Sequence, residues 1–152
     1  MFDAAMVRAF VLLQALKLVL LVGVVAATLS PGAWAQSIPQ AAYRHQLMLK
    51  REAHQAWGLD APVAVFAAQI HQESGWKPGA VSRVGATGMA QFMPATARWW
   101  CAANGLAAAD CQPTNPAWAV RALVGYDRWL FDRVRGPTEF DRLWAALRAY
   151  NG

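Results

Sequence analysis

Residues 72–96 read QESGWKPGAVSRVGATGMAQFMPAT, a helix end carrying an acid followed by a glycine-punctuated turn. Going back from Glu73, the residues Val63, Phe66, Ala67 and Ile70 recur at helical spacing and form one apolar stripe. At about 100° per residue, Glu73 falls on the edge of that stripe. A carboxylate leaning on an apolar face loses water, which disfavours its charged form and moves its pKa toward neutrality. Such an acid can donate a proton at physiological pH. Taken alone, a Glu at a helix end also reads as an ordinary solvated carboxylate.

The residues after Glu73 supply its surroundings. Gly85 and Gly88 in GATG allow a tight turn and let a ligand approach the main chain. Gln91 follows with both a donor and an acceptor. Phe92 and Met93 add apolar surface before Pro94 opens another helix. Trp76 sits beside the acid, and a flat ring there can meet the apolar face of a pyranose.

Together these residues resemble the lytic transglycosylase family of the lysozyme-like superfamily. The resemblance runs through Glu73-Ser74, Ser82 to Pro94, Asn115-Pro116 and Ala149-Tyr150-Asn151, in the family's order, and spans the chain from Tyr43 to Gly152. Met89-Ala90 stands where the family usually carries Leu-Met, and family domains continue past the Tyr-Asn motif, which here lies beside Gly152. The resemblance implies a lysozyme-like domain with a cleft between helices, acting on peptidoglycan glycan strands without cofactor or metal. Glu73 would be the sole acid and base. It would protonate the oxygen between N-acetylmuramic acid and N-acetylglucosamine, while the substrate's acetamido group stabilises the developing charge. As a carboxylate it would then take the proton of the muramyl C6 hydroxyl, closing a 1,6-anhydro ring.

By the same resemblance, Ser74 would orient groups near Glu73, Gln91 would bind substrate and Tyr150 would hydrogen-bond the acid, with Phe92 and Asn151 beside them on the substrate side. Each of the three polar roles has a plain structural alternative: Ser74 as a helix C-terminal residue, Gln91 as a loop bridge, Tyr150 as a core ring. The usual two-carboxylate route of glycoside hydrolysis needs a second acid, yet Asp60, Asp110 and Asp127 read as caps or surface charges. Two other functions remain open, a hydrolytic muramidase and a non-catalytic wall-binding or assembly module. Small enzymes of this design resemble those serving secretion, conjugation or phage machines.

The chain of 152 residues suits one domain, and its 57% hydrophobic composition is inflated at the start. Arg8 and Lys17 precede an uncharged run from Leu18 to Leu29, followed by Ala33-Trp34-Ala35. This is the layout of a secretory signal peptide over residues 1–35, cleaved after Ala35 to leave a domain over 36–152 in the periplasm or outside the cell. A retained membrane anchor is the alternative, but twelve apolar residues are too short to span a bilayer. Removing Asp3, Arg8 and Lys17 with that segment leaves 12 Lys and Arg against 8 Asp and Glu, a net +4. A mild basic excess suits an anionic polymer or membrane surface. No nucleic-acid motif or long basic run accompanies it.

The two cysteines, Cys101 and Cys111, read as a disulfide in an exported chain. Closing so short a loop stabilises by about 2.5–3 kcal/mol in the chain-entropy model. Two Cys without a neighbouring His or second pair cannot complete a tetrahedral metal shell.

The remaining sequence reads as helices throughout, with no period-two alternation, so the class is all-α. A first helix starts near Pro39, with Tyr43, Leu47, the Lys50 stem and Trp57 on one face and Gly58 as its stop. Asp60 as cap and Pro62 in the first turn start a second helix ending at Ser74. A third runs from Pro94 to near Gly105 on Ala95, Arg98, Trp99 and Ala102. The longest begins with Asn115 as cap and Pro116, presents Ala119, Ala122, Leu123, Tyr126, Leu130 and Val134, and ends at Gly136-Pro137. A capping box of Thr138 and Asp141 opens the last, with Phe140, Leu143, Trp144 and Leu147 facing one way.

Overall fold

The computed structural model describes residues 39–151. The expected signal peptide, its cleavage after Ala35 and the start of the mature domain at Gln36 lie outside the described residues. Five α-helices follow in order: α1 Gln40–Trp57, α2 Val63–Ser74, α3 Pro94–Ala103, α4 Pro116–Phe131 and α5 Glu139–Tyr150, with a 3-10 turn at Ala108–Asp110 before α4. Between α2 and α3 the chain makes isolated bridges, Val81 with Thr87 and Thr87 with Phe92, and no strand among the described residues. The class is all-α, as the sequence implies.

Helix α4 is the axis of the fold, packed against both α1 and α5. Its start is local chemistry: the Asn115 side chain accepts from the Ala117 and Trp118 amides at 2.9 and 3.3 Å, and Pro116, lacking an N–H, occupies the first position. It is buried on several faces, through Val120, Leu123, Val124, Asp127 and Leu130. Contrary to expectation it ends at Phe131, well before Gly136-Pro137, and at 16 residues it is shorter than α1 with 18. Two arginines explain the early end, since Arg133 donates to the Trp129 carbonyl and Arg142 to the Phe131 carbonyl, both at 3.0 Å. Carbonyls met by side chains need no further turn.

Periodicity located the helices better than it located their buried faces. In α1 the buried residues are Ala42, Leu49, Glu52 and Ala53, whereas Tyr43 and Leu47 lie exposed. Small alanines let α1 approach α4 closely, which outweighs the larger but outward side chains. Glu52 is tolerated inside because Arg51 and Arg121 pair with it at 2.8 and 3.2 Å, the second pair tying α1 to α4. Asp60 makes no cap for α2; Pro62 holds the cap position and its carbonyl receives the Val65 and Phe66 amides at 2.9 and 3.3 Å. Helix α3 buries Ala97 and Cys101 rather than Ala95, Arg98, Trp99 and Ala102.

In α5, Thr138 caps as expected, accepting from the Asp141 amide at 3.1 Å, while its hydroxyl donates to the Asp141 carboxylate at 2.6 Å. The shorter Asp thus meets the cap hydroxyl, where Glu would reach back to the cap amide. Phe140 and Trp144 are 75% and 59% exposed, so the expected apolar face is wrong by about one residue step. The buried edge is Ala146, flanked by Leu143 and Tyr150. Cys101 and Cys111 form the expected disulfide.

Candidate active site

Glu73 stands one residue from the end of α2, where Gly75 takes a left-handed conformation (φ 60°) and returns its amide to the His71 carbonyl at 2.8 Å. Phe66 and Ile70 on the same helix are fully buried, and Glu73, one turn further on, is half-buried. Burial raises its pKa above the usual carboxylate value. The next residues are strained: Trp76 has φ 67°, uncommon for a bulky side chain. Its ring is only 3% exposed and stacks on His45 at 6.2 Å. The expected sugar-stacking surface is therefore not offered here, because the ring closes the core. Burial, with Arg44 adding to it, lowers the pKa of His45.

The glycine-punctuated segment turns on itself through Ser82 N–H to Ala86 O at 2.9 Å, Gly88 N–H to Ala80 O at 2.8 Å and Thr87 N–H to Phe92 O at 2.9 Å. Gly88 is required on two grounds. Its φ is 81°, and a Cβ there would lie 1.8 Å from the Pro113 carbonyl oxygen. The loop before α4 therefore presses directly on the turn.

The three polar motif side chains converge on this turn. Gln91 donates to the Gly88 carbonyl at 2.8 Å, Ser74 to the Met89 carbonyl at 2.9 Å, and Tyr150 to the Ala90 carbonyl at 2.7 Å. Residues 88–90 are all buried, so their consecutive carbonyls have no water to turn to. Tyr150 thus directs its proton to Ala90, not to Glu73 as expected. Gln91 gives its second amide hydrogen to Ala80 at 3.3 Å, leaving its side-chain oxygen for a ligand's donor. Phe92, 3% exposed, is packed against Trp118, Tyr126 and Tyr150 and leaves almost no surface for a substrate. Asn151 is exposed and closes α5 by donating to Leu147 at 3.1 Å.

One residue that sequence reasoning placed on the surface belongs to this neighbourhood. Asp127 is 0% exposed, in the middle of α4. Gln69, one helical turn before Glu73, donates to its Oδ1 at 3.3 Å. Burial pushes the Asp127 pKa up to about 8; the Gln69 bond acts against that rise, and the charge of Glu73 adds to it. Tyr150 is pushed well above its usual value by burial, and the charges of Asp127 and Glu73 push it further. The two carboxyls and the tyrosine therefore share one field. The available signal was the placement of Asp127 between Val124 and Leu130, on the apolar side of α4, where the flanking arginine instead suggested a solvated face.

A concavity of about 450 Å³ opens beside the disulfide, among Ala97, Arg98, Cys101, Leu106, Cys111 and Pro113. It borders the turn through Thr87 and Phe92, but Glu73 does not line it. No group of three or more His, Cys, Asp or Glu among the described residues is placed to hold a metal ion.

Against known protein families, residues 48–152 match the family described as Transglycosylase SLT domain. No curated protein and no solved structure matches the chain.

Proposed function

The chain belongs to the Transglycosylase SLT domain family, catalytic domains of lytic transglycosylases with a lysozyme-like fold that act on peptidoglycan, and from that premise we propose that Glu73 alone carries the chemistry. The observation that carries this reading is the half-buried carboxyl at the end of α2, its pKa raised by lost solvation. A raised pKa enlarges the protonated fraction over that of an ordinary carboxylate, and the protonated form is the one that donates to the glycosidic oxygen between N-acetylmuramic acid and N-acetylglucosamine. The oxocarbenium character that develops is met by the substrate's own acetamido group. The carboxylate then accepts the C6 hydroxyl proton as that oxygen bonds to C1, giving a 1,6-anhydromuramyl end. An intramolecular nucleophile has a high effective concentration, so no water is needed.

Hydrolysis would require a second carboxylate beside a water or within bonding distance of the sugar. Asp127, which feels the charge of Glu73, has no exposed surface to offer a water or a sugar. Ser74, Gln91 and Tyr150 serve this chemistry by fixing the turn of residues 88–90 next to Glu73, with the Gln91 oxygen as a substrate acceptor. Peptidoglycan is the partner, and the exported location expected from residues 1–35 fits a wall-directed enzyme. No described helix is long and apolar enough to cross a membrane.

Glu73→Gln keeps the shape and removes the transferable proton, so sacculus lysis should fall by about 10²-fold or more with the thermal melt unchanged. Mass spectrometry of the parent's digest should show muramyl ends lighter by one water than hydrolysis products. Predominantly reducing ends carrying heavy oxygen from the solvent would instead mean a muramidase. Binding to sacculi without lysis would mean a wall-binding module.

A further inference from the structure

Asp127 and Gln69 present an unfinished pair. The Gln69 amide nitrogen reaches Asp127 Oδ1 at 3.3 Å, but the other oxygen of each side chain, Gln69 Oε1 and Asp127 Oδ2, is buried and has no hydrogen-bond partner. Two buried acceptors left bare on side chains already joined at one point are costly, since each loses water without compensation. A single proton on Oδ2 removes both defects. It turns that oxygen into a donor for Oε1 and closes a planar ring of two hydrogen bonds, amide N–H to Oδ1 and carboxyl O–H to Oε1.

We propose that Asp127 is held as a neutral carboxylic acid in such a ring with Gln69, and that the ring is a positioning device for Glu73. This rests on the reading of Glu73 as the acid and base. The link is geometric: Gln69 and Glu73 are four residues apart on α2, so they lie on one face. Fixing Gln69 to α4 sets the rotation of α2 about its axis, and with it the direction of Glu73. Burial and the charge of Glu73 favour the neutral form of Asp127, against the one bond from Gln69, which favours the ionised form. Glu73 approaches from α2, Tyr150 from α5 and Tyr126 along its own helix, and no salt bridge among the described residues involves Asp127. Glu73, with better access to water, ionises first, and its charge then helps Asp127 retain its proton. The site thus holds two carboxyls but only one negative charge, which leaves Glu73 free to cycle between acid and base.

The test exploits the symmetry of an acid–amide ring. Asp127→Asn mimics the neutral acid and should keep kcat within about threefold of the parent. Asp127→Ala strips Gln69 of its partner, and kcat should fall about tenfold or more with KM little changed, because the acid is misaimed rather than substrate lost. Gln69→Glu alone puts two acids together and should be impaired, while Gln69→Glu combined with Asp127→Asn exchanges acid and amide across the ring and should recover activity. Difference infrared spectroscopy of the full chain at pH 6, parent minus Asp127→Asn, should show the carbonyl stretch of a protonated buried carboxyl, any contribution of Glu73 cancelling between the two. Loss of activity in a folded Asp127→Asn, or no such band in the difference, overturns the proposal. The band reads Asp127 whether or not the enzyme turns over, so it stands apart from the Glu73→Gln result, which tests the catalytic reading itself.

Discussion

The turn at residues 88–90 and the Gln69–Asp127 contact are both buried polar regions near Glu73, and they are solved in opposite ways. In the turn, each of three consecutive carbonyls receives its own side-chain donor, from Gln91, Ser74 and Tyr150. At the contact, one hydrogen bond is made and two oxygens are left bare. A fully satisfied network is rigid and indifferent to pH, because its donors, a serine, an amide and a strongly shifted tyrosine, do not titrate near neutrality. An unsatisfied acid and amide can be completed only by a proton, so that region carries the pH dependence. The site thus rests on a static clamp on one side and a protonation-dependent one on the other.

The comparison breaks most visibly at Gly88. Replacement by Ala demands a left-handed backbone and drives a Cβ into the Pro113 carbonyl, and it should cost about 3 kcal/mol or more, seen as a drop in melting temperature with loss of lysis. A stable, active Gly88→Ala would show that the turn is not the rigid half of the site.

A pH series of thermal melts separates the two regions next. Asp127 binds its proton more tightly folded, up to about 8, than unfolded, near 3.8. Between those values the native state holds a proton that the unfolded chain has lost, so the parent's stability declines as pH rises and levels off above about 8. Asp127→Asn has no such proton, and its stability relative to the parent should grow by a few kcal/mol from acid to mildly alkaline solution. A constant difference would mean that Asp127 titrates normally. Ser74→Ala should shift both ends of that series equally.

The smallest expected effect is at Tyr150. Removing its hydroxyl as Phe orphans the buried Ala90 carbonyl and should cost about 1–3 kcal/mol at every pH. If Tyr150→Phe left the melt unchanged but displaced the alkaline limb of lysis, the hydroxyl would belong to Glu73 and the clamp would have only two members. That limb itself follows from the raised pKa of Glu73, since the proton-donating form is lost as pH climbs through it.

Much of this was legible without coordinates where the governing rule is local. Asn115 with Pro116, Thr138 with Asp141, Gly58 and Gly75 as stops, and the neighbouring cysteines each act within a few residues. The apolar stripe of α2 likewise sufficed to put Glu73 at the edge of buried surface. The misread faces of α1 and α5 share one cause: large apolar residues carry more weight in a periodic pattern than alanines, although a small residue is what allows two helices to close on each other.

An all-α chain with one acid at a helix end beside a glycine turn follows from the order of residues, because caps, stops and periodicity depend on neighbours along the chain. Tertiary structure alone decided what the polar groups do. Ser74 meets a carbonyl 15 residues away, Asp127 an amide 58 away and Tyr150 a carbonyl 60 away. Whether a carboxyl is charged or neutral depends on what surrounds it in space, and for Asp127 those surroundings come from three helices that meet only when the core closes.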